Sequence, residues 1–241
     1  MRIVPVTDIA VVSVPGPWPL SAELRAAVGP YWQGAIAANP HLWDGRILGL
    51  SAPGGGRPVV ADGVFRAEAR EDAYSAFMLW RHQGFPEIGM CHAFGWALIA
   101  SSDGAIIYGV MGGHTANAGR VYPPGGSLDP RDVLADGRVD VVRSIELELE
   151  EETGLRAEDA EAGAMVAIPD GARLSFGRIF RFPQPADRLA GSIRANLDRQ
   201  EHRELDDVVI IRSAAEAAAA GGVPYAQVVA DAYFGGQIFA E

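Results

Sequence analysis

The chain has 241 residues, which is enough for one large domain or for a core domain with a smaller appendage. Its hydrophobic fraction of 49% excludes disorder along the whole chain. All 20 basic residues are arginine, and with 31 acidic residues the formal net charge is -11. A surface of that sign does not attract nucleic acid or an anionic membrane, so we expect neither as a partner.

The cysteine content and the N-terminal segment indicate the compartment. The single cysteine, Cys91, can form neither an internal disulfide nor a cysteine zinc site, which suits a reducing environment. No stretch of about 18 apolar residues is available to span a membrane. Prolines at positions 5, 15, 17 and 19 interrupt the N-terminus in a way that signal peptides do not show. We therefore expect a cytoplasmic protein in which Cys91 is a small buried residue.

Glycine and proline divide the first third of the chain into short elements. The pattern predicts a helix over Leu20 to Ala38, strands over Arg46 to Ser51 and Arg57 to Phe65, and a helix over Glu68 to His82. We interpret residues 1–88 as an N-terminal extension and residues 89–241 as the main domain. Trp43 is expected to pack inward in a turn. Tyr74, Phe77 and Trp80 recur at helical spacing, which favours a core or subunit contact over a base-stacking platform.

The remaining residues alternate strands with helices but lack the regular βαβ rhythm of a doubly wound sheet. Strands are predicted over His92 to Ala100, Ala105 to Met111, Ala164 to Ile168, Arg173 to Phe182 and Asp207 to Arg212. Helices are predicted over Val139 to Thr153, Ala186 to Arg199, Ala214 to Ala220 and Tyr225 to Tyr233. The predicted fold class is therefore α/β (α+β), with a mixed sheet and helices on both faces.

One predicted helix, Val139 to Thr153, is strongly acidic. Glu148, Glu151 and Glu152 are spaced i, i+3, i+4, so their carboxylates share one arc of the helix and repel one another. They also lie in its C-terminal half, where the helix dipole disfavours anions. Carboxylate oxygens are ligands suited to Mg²⁺ or Mn²⁺, and a divalent cation would relieve both costs. A solvated acidic face is the alternative for a glutamate run taken by itself.

The surroundings of the acidic helix resemble the Nudix hydrolases. The signature of that family is Gly, five residues, Glu, seven residues, then Arg-Glu-apolar-any-Glu-Glu-any-Gly-apolar. Its second half is matched by Glu148, Leu149, Glu151, Glu152, Gly154 and Leu155. Its first half starts at Gly126, which places Asp132 at the position of the first glutamate. The implied fold is a Nudix-like α/β/α sandwich with a mixed sheet.

Two departures from the family pattern affect the site. The loop after Gly126 is seven residues longer than in the family, roughly over Val133 to Val139. The position of the signature arginine, which orients the helix glutamates by charge pairing in the family, is occupied by Leu147. Arg143 lies one turn earlier and could reach part of the same surface, or another arginine could. These departures put catalytic efficiency in question more than the fold.

The resemblance implies a hydrolase that cleaves the diphosphate bond of a small nucleoside diphosphate derivative, of the ADP-ribose or nucleotide-sugar type. Mg²⁺ or Mn²⁺ would be the cofactor, held by a metal site made of Glu148, Glu151, Glu152 and Gly126. Glu152 is our first choice for an indispensable ligand. The general base would be one of these carboxylates or one from the loop that carries Glu201 and Glu204, for which an exposed polar loop is the alternative.

Four further residues are substrate-binding candidates. Arg120 is a plausible phosphate ligand, because a guanidinium binds two oxygens at once. Gly125 and Gly126 would let backbone N–H groups approach substrate or metal, and a plain turn is the alternative. His114 could contact base or phosphate, although a structural histidine is the more common case. Arg203 is expected to be an ordinary surface arginine, with contact to a substrate phosphate as the alternative.

Two other classes of function stay open. Leu147 favours a degenerate module that binds a nucleotide or a partner without hydrolysis. A structural acidic helix in an unrelated α/β protein would bind no metal. Many members of the family dimerise, so a homodimer is possible, and the sequence contains no sharp motif for a particular diphosphate substrate.

Overall fold

The computed structural model describes residues 1–236, which contain eleven strands and six α-helices. The strands are β1 (Val4–Val6), β2 (Asp8–Ser13), β3 (Arg46–Ser51), β4 (Val60–Ala61), β5 (Val64–Ala73), β6 (Cys91–Ala100), β7 (Ile106–Met111), β8 (Val121–Tyr122), β9 (Glu161–Asp170), β10 (Arg173–Arg181) and β11 (Leu205–Ile211). The helices are α1 (Ala22–Ala38), α2 (Tyr74–His82), α3 (Val141–Thr153), α4 (Ala186–Leu197), α5 (Ala214–Ala219) and α6 (Pro224–Phe234). None of these helices is long and apolar enough to cross a membrane.

Strand β6 is the centre of one mixed sheet. Its full length pairs in parallel with β10, and the path continues through β9 to β1 on that side. On its other edge, β3 pairs with the beginning of β6 and β7 pairs with its end. Residues 124–128 fill the space between β3 and β7, since Gly95 N donates to Gly126 O and Ala97 N donates to Pro124 O. The two partners on this edge therefore diverge around a glycine-containing loop.

Helices cover both faces of β6, because consecutive side chains of a strand point to opposite faces. On one face Gly95 lies against Ile145 of α3, where a Cβ would come closer than 3.0 Å to the isoleucine side chain. On the other face the rings of Phe94 and Trp96 pack against Tyr225 of α6. The predicted α/β class, with a mixed sheet between helices, is confirmed.

The N-terminal part differs from the prediction at one helix. Residues Glu68 to Ala73 were predicted as helical but belong to β5. Of the predicted helix over Glu68 to His82, only Tyr74–His82 (α2) is helical. Phe65, Ala67 and Ala69 are buried while the intervening residues are more exposed, a period of two that a half-buried strand requires. The predicted strand over Arg57 to Phe65 reduces to β4 and the start of β5, and the sequence analysis missed β1 and β2.

Residues 1–88 contribute strands to the same sheet as the remainder of the chain. β1 pairs with β9, and Gly49 of β3 is in register with His92 of β6. Behind these strands, Trp18 and Trp80 pack edge to face at 5.6 Å between ring centroids, in a second cluster of buried residues. The boundary near residue 88 stays a prediction, and the last five residues of the predicted main domain lie outside the described range.

Candidate functional site

Helix α3 presents its acidic side at the edge of the glycine-containing loop. Asp140 caps the helix by accepting a hydrogen bond from Arg143 N, and Gly154 ends it with a φ of 72°, which favours glycine. Ile145 and Leu149 are fully buried against the sheet. The buried apolar side fixes the rotation of the helix and thereby directs the glutamates toward the loop.

Glu152 is the most buried of these carboxylates, with 3% of its surface exposed. Its Oε2 accepts a hydrogen bond of 2.8 Å from Gly125 N. Its Oε1 is buried and has no hydrogen-bond partner among the described residues. Burial, together with the nearby charges of Glu148 and Glu204, raises the pKa of Glu152 well above its usual range. A buried carboxylate oxygen without a partner is the strongest sign of a cation position in this molecule.

Glu148 lies one turn before Glu152 and is half-buried. Burial raises its pKa to about 8, and the charges of Glu204 and Glu151 act in the same direction. The carboxylate of Glu148 lies directly over Gly126, where a Cβ would approach it more closely than 3.0 Å. The two glutamates therefore form one crowded group of negative charge beside the loop.

The loop glycines are required by close approach on both sides. A Cβ on Gly125 would come closer than 3.0 Å to the backbone of Gly95, and a Cβ on Gly126 would collide with the Glu148 carboxylate. The carbonyl of Gly126, predicted beside the metal, accepts a 2.9 Å hydrogen bond from Gly95 N. The glycines thus let the loop lie between the sheet and the acidic helix.

An arginine outside the signature holds the third helix glutamate. Arg131 Nη1 lies 3.0 Å from Glu151 Oε1, and Arg131 Nε lies 2.9 Å from Asp129 Oδ2. The main-chain carbonyl of Arg131 accepts a hydrogen bond of 3.0 Å from Arg143. Arg131 therefore makes the contact that Leu147 cannot make, and Arg143 supports it through the backbone.

The inserted residues form a small hairpin, with an antiparallel bridge between Val133 and Val139. This hairpin pairs with β2, because Ser13 N donates to Gly137 O and Val139 N donates to Val11 O. Asp132, aligned with the first signature glutamate, is buried before the hairpin and accepts a hydrogen bond from Asp129 N. Asp132 is therefore held by a hydrogen bond within the turn that carries Arg131.

The loop before β11 completes a cavity of about 360 Å³ beside the acidic helix. The cavity is lined by Glu148, Glu151, Glu152, Gln200, Glu201, His202 and Glu204. Gln200 fastens this loop to the helix by donating a 2.8 Å hydrogen bond to the carbonyl of Glu151. Arg203 is near Asp198 and Asp206, at 3.8 and 4.0 Å, and does not line the cavity.

A second, larger cavity of about 610 Å³ adjoins the first and shares Glu148 and Glu204 with it. Arg120, Gly125 and Gly126 line it, and their predicted role in binding substrate stays a prediction. His114 lines neither cavity in the described part of the chain, and its carbonyl accepts a hydrogen bond from Asn39.

The sequence analysis missed the aromatic wall of this larger cavity. Tyr74 and Phe77 line it, whereas Trp80 is buried as predicted. Trp43 was expected to pack inward, but it is 82% exposed at the rim of the cavity. The helical spacing of the aromatics was visible in the sequence, but it did not indicate which of them border a cavity.

The donor set was tested for its fit to a divalent cation. All candidate side-chain ligands are carboxylates, which suit Mg²⁺ or Mn²⁺, and one buried carboxylate oxygen lacks a partner within the described residues. Within residues 1–236, no three acidic, histidine or cysteine side chains already converge at the spacing of a metal cage. The residues fit a cation in kind, and Glu148, Glu151 and Glu152 line one cavity, so binding would require their side chains to rotate toward one another.

No protein-family model matches the sequence, and no curated protein matches it. Solved structures match part of the chain. A MutT protein from Methanosarcina mazei Go1 is 16% identical, with 61% of this chain and 91% of that chain covered at a TM-score of 0.39. A Nudix hydrolase from Nitrosomonas europaea is also 16% identical. The match covers 61% of this chain and 90% of that chain, with a TM-score of 0.42.

A third matched structure is a bifunctional NMN adenylyltransferase/ADP ribose pyrophosphatase from Francisella tularensis, complexed with AMP and a Mn ion. It is 18% identical, with 67% of this chain and 44% of that chain covered at a TM-score of 0.40. The matched structures thus include Nudix hydrolases, the family that the acidic helix and its loop resemble. At such identities and TM-scores the likeness carries no information on activity, so the function is inferred from the site.

Proposed function

We propose that this protein is a metal-dependent Nudix-type hydrolase that cleaves the diphosphate bond of a small nucleoside diphosphate derivative. The observation that carries the proposal is the buried, unpartnered Oε1 of Glu152, next to Glu148 and beside a cavity that Glu204 also lines. Holding several carboxylates close together and away from water costs free energy, and a cation bound among them would offset that cost.

In this proposal the glutamates of α3 hold the cofactor, Mg²⁺ or Mn²⁺. Glu152 and Glu148 are the principal ligands, and Glu151 is steadied by Arg131 at the exposed side. The bound cation would neutralise the charge of the diphosphate and acidify a coordinated water. The N–H of Gly125 keeps the Glu152 carboxylate in one orientation through its hydrogen bond to Oε2.

The substrate would span both cavities. Its diphosphate would lie at the carboxylates, and its organic part would enter the larger, aromatic-lined cavity through the side shared by Glu148 and Glu204. Glu204 has no side-chain hydrogen bond or ion pair among the described residues, so it is free to take a proton from the attacking water.

The alternative is a degenerate module that binds a nucleotide without cleaving it. The substitution at Leu147 favours it, as does the lack of a preformed metal cage in the described chain. The contact between Arg131 and Glu151 favours the enzyme, because it supplies by another route the orienting charge that Leu147 lacks.

The test is release of phosphate-containing products from a panel of nucleoside diphosphate derivatives, with Mg²⁺ and separately with Mn²⁺. Glu152→Gln should lower turnover at least about a hundredfold, the lower end of what a positioned catalytic carboxylate contributes. Glu150→Gln is the matched control, since Glu150 is exposed on the same helix. Circular dichroism would establish that both variants are folded.

Each outcome separates the classes of function. Metal-dependent turnover that vanishes in Glu152→Gln alone supports the enzyme. Absence of turnover with Mn²⁺ binding retained in calorimetric titration favours the binding module. Absence of Mn²⁺ binding in the folded protein would leave a structural acidic helix.

A further inference from the structure

The larger cavity contains a cluster of positive charge that the proposed hydrolysis does not use. Arg81 from α2, Arg120 from the loop before β8 and Arg173 at the start of β10 all line it. Three separate segments of the chain bring these guanidinium groups to one cavity. One of the segments, α2, belongs to the N-terminal extension.

Arg81 is the most buried of these three arginines. It is half-buried, and its Nη2 donates a 3.2 Å hydrogen bond to the side-chain oxygen of Asn117. Asn117 in turn donates to the hydroxyl of Tyr122, which keeps its amide oxygen directed at the arginine. An amide oxygen carries no charge, so this bond orients Arg81 without neutralising it.

No carboxylate of the described chain forms an ion pair with Arg81 or Arg120. By contrast, 13 of the 20 arginines form such an ion pair within the described residues. Arg173 does pair with Asp170. Burial lowers the pKa of Arg81, and the positive charges of Arg120 and Arg173 lower it further. Arg81 is partly buried, whereas Arg120 and Arg173 are exposed, so an anion from solvent can reach the cluster and would compensate the charge of Arg81.

The walls of the cavity are suited to a ring-containing ligand. Tyr74, Phe77, His92 and Phe94 line it, and the His92 ring lies 4.2 Å from Phe77 and 5.6 Å from Phe94 between centroids. His92 Nε2 is 2.9 Å from Ser127 Oγ, while its buried Nδ1 has no partner in residues 1–236. The cavity therefore offers aromatic surface and two guanidinium groups that form no ion pair within residues 1–236.

We propose that the larger cavity binds the organic arm of a diphosphate whose arm carries an anionic group of its own, a phosphate monoester or a carboxylate, and that Arg81 and Arg120 bind this group. The proposal rests on the proposed function for the position of the diphosphate at the α3 carboxylates. It makes the N-terminal extension a determinant of substrate choice, since α2 supplies Arg81.

The test compares ligand pairs that differ by one anionic group. Three such pairs are NADPH with NADH, coenzyme A with dephospho-coenzyme A, and UDP-glucuronate with UDP-glucose. Dissociation constants would be measured by calorimetry on the Glu204→Gln protein with Mg²⁺, because this variant lacks the proposed base but keeps the proposed metal ligands, so that no turnover disturbs the titration. In at least one pair, we expect the member with the extra anion to bind about tenfold more tightly, as a charge-assisted contact provides.

Arginine variants in the same background then locate the effect. Arg81→Gln and Arg120→Gln should each abolish most of the discrimination and change the affinity of the other member less than about twofold. Arg188→Gln is the control, since Arg188 is exposed on α4 away from both cavities. Arg81→Lys keeps the positive charge, so it should retain part of the affinity difference within a pair. A retained difference would also show that substitution at position 81 does not unfold the protein.

The outcomes distinguish this inference from the proposed function. Equal affinities within all three pairs, or no binding at all, would overturn it. Equal weakening of both members by the arginine variants would also overturn it, because the arginines would then contact the shared diphosphate. Discrimination lost in the arginine variants, without turnover in the parent protein, would leave this inference standing and remove the proposed hydrolysis. The ligand pair that shows the difference in affinity identifies whether the anionic group is a phosphate monoester or a carboxylate.

Discussion

At the scale of single residues, Arg131 and Leu147 show how a charge contact can move within a site. The signature position carries leucine, which cannot pair with a carboxylate. Arg131, in the short 3₁₀-helix Pro130–Asp132, holds both Asp129 and Glu151. The hydrogen bond to Asp129, with the negative charges of Asp129, Glu151 and Glu148, raises the pKa of Arg131 above its usual value although burial acts in the opposite direction.

Arg131→Gln tests that contact. Glu151 would lose its ion-pair partner, and we expect kcat/KM to fall about tenfold, equivalent to about 1.4 kcal/mol of transition-state stabilisation. The melting temperature should change little, because the pair is largely exposed. Arg138→Gln is the matched control, since Arg138 pairs with Asp136 on the neighbouring hairpin. Equal activity of both variants would show that Arg131 has no positioning role.

Alanine substitution at the two loop glycines should have different consequences. Gly126→Ala places its Cβ against the end of the flexible Glu148 side chain, so we expect Mn²⁺ affinity and turnover to fall while stability changes little. Gly125→Ala places its Cβ against the backbone of Gly95, which cannot move easily, and should destabilise the fold by about 1–3 kcal/mol.

Urea unfolding and Mn²⁺ titration would measure both effects. Gly113→Ala is the control, because a Cβ there meets nothing within 4 Å. If both loop variants changed only stability, the close approach of Gly126 to Glu148 would be irrelevant to the site.

At the scale of elements, one buried carboxylate joins α1 to the sheet. Asp72 in β5 accepts hydrogen bonds from both terminal nitrogens of Arg25 in α1, at 2.8 and 2.7 Å, and one of 2.9 Å from Trp18 N. Burial alone would raise the pKa of Asp72, but the hydrogen bonds from Arg25, Ala73 and Trp18 outweigh it and the pKa is lowered. The ionised form is therefore part of the folded structure.

This pKa predicts how stability depends on acid. A carboxyl group whose pKa is lower in the folded than in the unfolded state stabilises the protein above its unfolded value of 3.8, and that contribution is lost as the pH falls through the folded value. Asp72→Asn should cost on the order of 2 kcal/mol at neutral pH. The variant should also lose less further stability below about pH 4 than the parent does.

Urea unfolding at pH 7 and at several acidic pH values would measure this difference. Asp62→Asn is a suitable control, since Asp62 lies in an exposed turn. Parallel acid profiles for the parent and Asp72→Asn would contradict the linkage.

At the scale of the whole molecule, the N-terminal extension is a structural part of the sheet. β3 continues the sheet from β6 through β5 to β2, and the inserted hairpin before α3 pairs with β2. The extension also supplies the aromatic wall of the larger cavity. Changes that displace β2 are therefore expected to reach the hairpin next to the loop that carries Arg131.

We expect the chain to unfold in a single cooperative transition. A fragment of residues 89–241 would expose the edges of β6 and β9 that β3 and β1 cover, and unpaired strand edges promote aggregation. Calorimetry of the full chain and circular dichroism of the fragment would measure both. Two resolved transitions, or a fragment with a native-like melting curve, would establish residues 1–88 as an independent unit.

The acidic helix was predictable from sequence because its information is local. Glutamate spacing, the glycine at its end and the apolar period of its buried face lie within Val141–Thr153 and the residues next to it. The mixed sheet was predictable for the same reason, since apolar runs and turn residues mark most strands. The β5 segment after Glu68 was missed because its alternation ends directly at a helix, with no glycine or proline between them.

Only the tertiary structure decided which distant residues meet. The sequence by itself determined the α/β class, the acidic helix and the Gly125-Gly126 loop. The sheet then brought Arg131 to Glu151, Glu204 to Glu148 and Arg81 to Arg120, and left His114 outside both cavities. Such contacts depend on strand order and register, which arise from packing over the whole chain rather than from local spacing.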